Sequence, residues 1–240
     1  NGSKDTIECI YSLEKINYRN YKIVILDNSS TDDSENILRE KFPHHIFIQT
    51  GKNLGFAGGN NVGIKYALDN NADYILLLNN DTVVEPDFLE PLVKYVEEHD
   101  EIGIVAGKIN YYSKKDRIWS AGGYISEIKG CGYHYGKDEI DHEQYNNKRE
   151  VSFLTGCMQL IKREIFETVG LYNPDYFLYL EDVDFCYRVC EAGYKLVYIP
   201  ESKIYHKVSA STGEESPLFL YYFNRNRLLF VSKNIKQSYK

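Results

Sequence analysis

The 240-residue sequence predicts an α/β fold, a mainly parallel sheet flanked by helices. Two observations carry this. Residues 1–106 alternate segments of strand and helix type, the order that builds parallel strands joined by right-handed crossovers. Among them, Tyr74-Ile75-Leu76-Leu77-Leu78 is a continuous apolar run of strand length, as suits a central strand buried on both faces. The run breaks at once into Asn79-Asn80-Asp81-Thr82. Polar side chains then sit at the carboxyl end of a buried strand, where open α/β sheets bind their ligands.

The elements follow in order. Asp5-Thr6-Ile7-Glu8 reads as a capping box, and Ile7, Ile10 and Leu13 give its helix an apolar stripe to about Ile16. Residues 21–26 form the first strand, which ends at Asp27. A polar turn follows, and Asp32 with Glu35 caps a helix to about Lys41. Residues 46–49 are a short strand. Residues 53–61 form a loop whose three glycines allow positive φ and close backbone approach, leading into a helix that carries Val62, Tyr66 and Leu68. After the 74–78 strand, Pro86 opens a helix that Pro91 kinks or delays, and residues 102–106 are another strand.

The second half changes character. Residues 118–125 read as strand or loop with a glycine pair. Residues 127–150 are polar and without period, as expected of a mobile excursion. Strand-like character returns at 151–161, followed by a short helix over 162–169 that Gly170 closes. A helix over 181–192 ends at Gly193. Pro200 ends a strand over 195–199 and leaves His206 in the loop beyond, and a final helix covers 219–233.

Composition bounds the function. The net charge of −7 argues against nucleic acid as the partner. Five cysteines without a CxxC pair read as reduced core thiols, implying a reducing, cytoplasmic compartment. No apolar run approaches the roughly 20 residues that a transmembrane helix needs.

Four clusters carry chemistry. Asp27 ends a strand beside a helix start, so it either caps that helix or accepts hydrogen bonds from a nucleobase or ribose. The glycine-rich stretch from Asn53 to Asn61 is either a tight turn or a backbone cradle for a nucleotide. Asp81 is a hard oxygen ligand suited to a divalent cation carrying a diphosphate, unless Asn79 and Asp81 only shape a turn. Glu181, Asp182 and Asp184 crowd a helix N-terminus, where they either complement its dipole or supply a general base. Asp184 and Arg188, four apart, share a face and suit an ion pair.

Together, DNSSTD, KNLGFAGGNN, LLLNNDT and YLEDVDFCYR, in this order and spacing, resemble the inverting family-2 glycosyltransferases of GT-A fold, in particular their rhamnosyltransferase-like subgroup. The resemblance covers nearly the whole chain. It implies one domain, with a nucleotide-sugar-binding half over 1–106 and an acceptor-binding half over 107–240. It also implies transfer of a sugar, with inversion, from a UDP- or dTDP-linked donor to an acceptor hydroxyl in cell-surface polysaccharide synthesis. Asp27, Asn28, Ser30, Asn53, Gly55, Asn60 and Asn80 would line the donor site. Asp81, Asn79 and His206 would hold a divalent metal, Mg2+ or Mn2+. Asp182, beside Glu181, would be the base. The acceptor would be a saccharide or a lipid-linked one, with peripheral contact at the inner membrane face. The final helix, where Phe219, Tyr221, Tyr222 and Phe223 adjoin Arg225 and Arg227, suits such a surface or packs on the domain.

Two departures stand out. The family's DxD positions read Asn79-Asn80-Asp81, one carboxylate fewer. The chain also opens where the family has a turn after its first strand, so that strand is expected to be missing, leaving a sheet edge exposed to self-association. The rival functions are a non-catalytic nucleotide-sugar-binding or scaffolding domain and a nucleotidyltransferase. The latter lacks its expected basic, glycine-rich N-terminal loop here.

Overall fold

The computed structural model describes residues 1–208 and 216–235. Helix α1 (Ser3–Leu13) comes first. Strand β1 (Val24–Asp27), helix α2 (Ser34–Lys41) and strand β2 (Ile46–Gln49) follow, and β1 and β2 pair in parallel as a sheet of their own. Helix α3 (Gly55–Asp69) leads to β3 (Tyr74–Leu78), β4 (Thr82–Val84) and α4 (Leu89–Glu98). The remaining strands are β5 (Ile102–Tyr111), β6 (Ile118–Ser120), β7 (Gly123–Ser126), β8 (Cys131–His134), β9 (Arg149–Val151), β10 (Met158–Lys162) and β11 (Lys195–His206). Helices α5 (Arg163–Thr168), α6 (Glu181–Glu191) and α7 (Pro217–Asn234) complete the order, with a 3-10 turn at Pro174–Tyr176 before α6.

The α/β class stands, but the main sheet is mixed. Its order is β3-β10-β5-β11-β4, and only the β5–β11 pair is parallel. Strand β10 runs antiparallel to both β3 and β5, and β4, β6 and β9 join antiparallel. The alternating order of the first half fixes local segments; the antiparallel insertions come from the second half, where pairing is non-local. Strand β5 is buried along nearly its whole length, because it lies inside the sheet between β10 and β11 and α4 packs against it.

A large core spans the main sheet, α4, α5 and α6. A second, smaller one joins Ile10, Ile25, Leu38 and Phe42 between α1, β1 and α2. Strands β1 and β3 belong to different sheets, and both line one cavity of about 1870 Å3 along their full length.

Several expectations need correction. The capping box does not form: α1 starts earlier, at Ser3, and the carboxylates of Asp5 and Glu8 instead bind the Lys207 ammonium at 2.7 and 2.6 Å. The 53–61 stretch is helical from Gly55 onward. Pro200 does not end β11, because a register shift between Ile199 and Lys203 accommodates it. His206 is therefore the last residue of a strand, paired with Thr82 and Tyr111, and not part of a loop. The 127–150 stretch is an ordered one. It holds β8, which pairs with β7, and the β9 end, and its Asp141 and Asn146 bind the buried Lys108 ammonium at 3.0 and 2.7 Å. Strands of three and four residues leave no period to read.

Candidate active site

The carboxyl ends of β1 and β3 open into the cavity, as open α/β sheets require of a ligand crevice. At the end of β1, Asp27 is buried and accepts from the Ser30 backbone N–H at 3.1 Å, from the Ser30 hydroxyl and from the Gln49 amide. Ser30 thus holds Asp27 in place. Asn28 ties this turn to the glycine-rich stretch: its Oδ1 accepts from Leu54 N at 3.0 Å, and its amide donates to Gly55 O at 2.9 Å. Gly59 is small for a reason, since a Cβ there would press on the Asn28 amide at 3.2 Å. Asn53 accepts from Gly55 N at 2.9 Å, and Asn60 donates to Phe56 O at 2.9 Å. These residues line the cavity and brace its wall.

Beyond β3, the Asp81 carboxylate lies 3.1 Å from His206 Nε2. The pair is rigid, because Asp81 precedes β4 and His206 closes β11, to which β4 is hydrogen-bonded. Burial works against a charged His206, but the neighbouring Cys157 and Asp81 outweigh it and push the imidazole up to about 10. His206 Nδ1 is buried without a hydrogen-bond partner. A carboxylate oxygen and an imidazole nitrogen aimed at one cleft suit a divalent cation that takes its other ligands from a diphosphate and water. Asn79 gives its backbone groups to the fold, donating to Cys157 O at 2.9 Å and accepting from the Thr82 hydroxyl at 2.7 Å. Asn80 is turned to α1, where its amide donates to the Thr6 hydroxyl at 2.9 Å.

Glu181 and Asp182 open α6 on the opposite wall. Asp182 accepts from Gly156 N at 2.9 Å and from Val183 N at 2.8 Å. Burial raises its carboxyl above the ordinary aspartate range, with those two N–H groups opposing. Glu181 is buried, and its Oε2 has no hydrogen-bond partner. Burial first, and then the Asp182 charge, push its carboxyl well above the ordinary glutamate range. Asp184 plays a structural part: it is buried, pairs with Arg188 at 2.8 Å as its spacing implied, and accepts from Tyr176 and Asn234.

Three features of the site were not foreseen. Trp119 stands edge-on to His206, with ring centroids 4.6 Å apart, and lines the cavity. The segment that delivers Glu181 and Asp182 is strained, with Phe177, Tyr179 and Leu180 all at positive φ. Phe177 sits in a tight turn closed by Leu178 N donating to Tyr176 O at 2.6 Å, the strained hand of the γ-turn. Asn226 of α7, fully buried, holds this segment by donating to the carbonyls of Tyr176, Leu178 and Tyr179 at 2.7, 2.8 and 2.7 Å. The Phe177 carbonyl also accepts from Phe56 N at 2.6 Å, joining the strained segment to the start of α3. Gly55, at φ +72°, is required there, since a Cβ would collide with that carbonyl. The positive-φ run has no sequence signature, because none of its residues is glycine.

Residues 1–170 match the sequence profile of glycosyl transferase family 2. The chain belongs to that family. It is a glycosyltransferase, and the fold is of GT-A type. The dTDP-rhamnosyl transferase RfbF of Shigella flexneri is 26% identical over 230 residues, covering 92% of this chain and 74% of the relative. The N-acetylglucosaminyl-diphospho-decaprenol L-rhamnosyltransferase of Mycobacterium tuberculosis is 24% identical over 238 residues, covering 92% and 78%. Among solved structures, GalNAc-T7 with UDP, GalNAc and Mn2+ superposes with a TM-score of 0.66 at 17% identity, over 82% of this chain and 40% of that one. Staphylococcus aureus TarS gives 0.64 at 15% identity, over 99% and 39%. At these identities the two structures speak for the fold alone.

Proposed function

We propose that this glycosyltransferase moves a sugar, of rhamnose type, from a dTDP- or UDP-linked donor to a hydroxyl of a saccharide or lipid-linked acceptor in cell-surface polysaccharide synthesis. The observation that carries this is the convergence on one cavity of Asp27, the Asp81–His206 pair and the Glu181–Asp182 pair. The two relatives named for rhamnosyl transfer support the choice of sugar.

In this reading residues 1–106 hold the donor nucleotide and residues 107–240 the acceptor. Asp27 faces the base or ribose, and the wall braced by Asn28, Asn53, Gly55 and Asn60 lies along the nucleotide. Asp81 and His206 hold a divalent cation, Mg2+ or Mn2+, with Asn79 and Asn80 shaping the turn that presents Asp81. Bound there, the cation supplies Lewis-acid neutralisation of the departing diphosphate. Asp182 takes the acceptor proton as the hydroxyl attacks the anomeric carbon from the face opposite the leaving group, which inverts that centre. Burial, and then the Asp182 charge, push the Glu181 carboxyl toward its neutral form, which disfavours a second charge beside the base. Holding the two substrates in line supplies much of the acceleration.

Calorimetric titration with dTDP and with UDP, in Mg2+ or Mn2+, tests the donor site. Metal-dependent binding of one nucleotide, lost in Asp81→Ala, is expected. Equal affinity with and without metal would refute the assignment of Asp81. Metal-dependent binding without turnover of any donor sugar would favour the non-catalytic reading.

No described helix is long and apolar enough to cross a membrane. Leu218, Tyr221, Arg225 and Leu228 lie at helical spacing on α7, all exposed, Leu228 at 75%. We infer a peripheral contact of this stripe with an anionic membrane surface. Co-sedimentation with phosphatidylglycerol vesicles is expected to drop in Leu228→Ser; retention equal to that of the parent chain would exclude it.

A further inference from the structure

A second cluster of metal-type ligands lies apart from the catalytic cavity. Glu14 follows α1, and His44 and His45 occupy the turn between α2 and β2. His44 Nε2 is 2.9 Å and His45 Nε2 3.1 Å from the same oxygen, Glu14 Oε1. Their ligand atoms all lie within 4.8 Å of one another, and among the described residues no other three His, Cys, Asp or Glu side chains converge so.

We propose that Glu14, His44 and His45 form a zinc-class divalent cation site that clasps α1 to the leading end of β2.

The donor set fits that ion. Two imidazole nitrogens and one carboxylate suit Zn2+, whereas Mg2+ prefers oxygen throughout. Ligand atoms about 3.4 Å apart suit tetrahedral bonds of about 2.0–2.1 Å, so the two Glu14–histidine separations of 2.9 and 3.1 Å open slightly and the two imidazole nitrogens, within 4.8 Å of each other, settle to the same spacing around the ion. The site is also held in place. The His45 ring stacks on Phe42, with centroids 6.0 Å apart, and Phe42 is buried in the smaller core. Tyr11 packs edge-on against the same Phe42 ring at 5.4 Å, so α1 and the turn share one aromatic base. His44 is the open side: its side chain is 60% exposed, leaving room for a water as fourth ligand.

The placement gives the clasp a purpose. β1 and β2 share no strand pairing with the main sheet, and α1 packs on both α2 and β4. A cation joining Glu14 to His44 and His45 ties the small layer to α1 and, through it, to the main sheet. The inference does not depend on the proposed sugar donor.

Titration of the full chain with zinc chloride in excess Mg2+ tests it. One equivalent of zinc is expected to bind, to raise the melting temperature, and to bind undiminished in Asp81→Ala. His44→Gln, at an exposed position, is expected to keep its circular dichroism spectrum, to weaken zinc binding at least tenfold and to abolish the rise in melting temperature. Glu14→Gln is expected to do the same. Zinc uptake unchanged in both variants, uptake lost in Asp81→Ala, or none by the folded parent chain would each overturn the proposal.

Discussion

Asp182 is pulled two ways: burial raises its carboxyl, while N–H groups of Gly156 and Val183 favour the carboxylate. As a base it must be ionised, so kcat is expected to fall with decreasing pH around a midpoint above the ordinary aspartate value of about 3.9. Asp182→Asn is expected to lower kcat by roughly 10²–10⁴-fold with nucleotide affinity retained, as kinetics beside calorimetry would show. A pH profile flat across the acid range, or kcat preserved in the variant, would remove Asp182 from that role. Glu181 has the matching effect on stability. Its folded carboxyl holds a proton more tightly than the unfolded one, so its contribution is present below the ordinary glutamate range and lost as pH rises through the raised folded value. At this scale the placement of the carboxylates was legible: Asp27, Asp81, Glu181 and Asp182 all line the cavity at the strand ends. Asn80 was not: whether an amide in a turn faces a ligand or a neighbouring helix depends on α1, packed there from 70 residues away.

Strained segments of chain need something to hold them, and here α7 does so. The turn before α6 stores backbone strain of order 1–3 kcal/mol per residue at positive φ. Asn226 offsets it with three hydrogen bonds to the carbonyls of this segment. Asn226 is a positioning residue: it touches the segment that aims Asp182, not the cavity. Asn226→Ala is expected to lower kcat at least tenfold while nucleotide affinity stays within about threefold, a split that general destabilisation would not produce. Loss of affinity and kcat together would assign Asn226 to folding alone. The elements themselves were largely legible: α2, α4, α5, α6 and β1, β2, β3 fall close to where the apolar pattern puts them, although the Asp32–Glu35 cap of α2 does not form and Glu35 binds Arg39 and Gln49 instead. The errors share a cause. Pro200 reads as a strand end only if the strand keeps its register, and β11 shifts register there. Gly55 reads as loop, though its positive φ is what lets α3 start beneath the Phe177 carbonyl.

Pairing is a property of the whole molecule, and it was the least legible. The alternation in residues 1–106 implied parallel neighbours, yet β10, from the second half, lies between β3 and β5 and runs against both. Local periodicity says that a strand exists; it carries no record of which partner arrives later in the chain. Strands β1 and β3 line one cavity yet belong to separate sheets. That division bears on how the molecule opens. The β1–β2 layer and its small core meet the rest without strand pairing, through side-chain packing and a few hydrogen bonds such as those of Asn28 to Leu54 and Gly55, so they are expected to form a separate cooperative unit, opening at lower free energy than β5 and β11. Amide hydrogen exchange followed by mass spectrometry should show β1 and β2 labelled well before β5 and β11; one uniform rate across all four would show the molecule to be a single unit. Asp27 rides on this unit, so a nucleotide held at Asp27 is expected to slow exchange in β1, and the donor would then act as a brace between two layers that share no strand pairing.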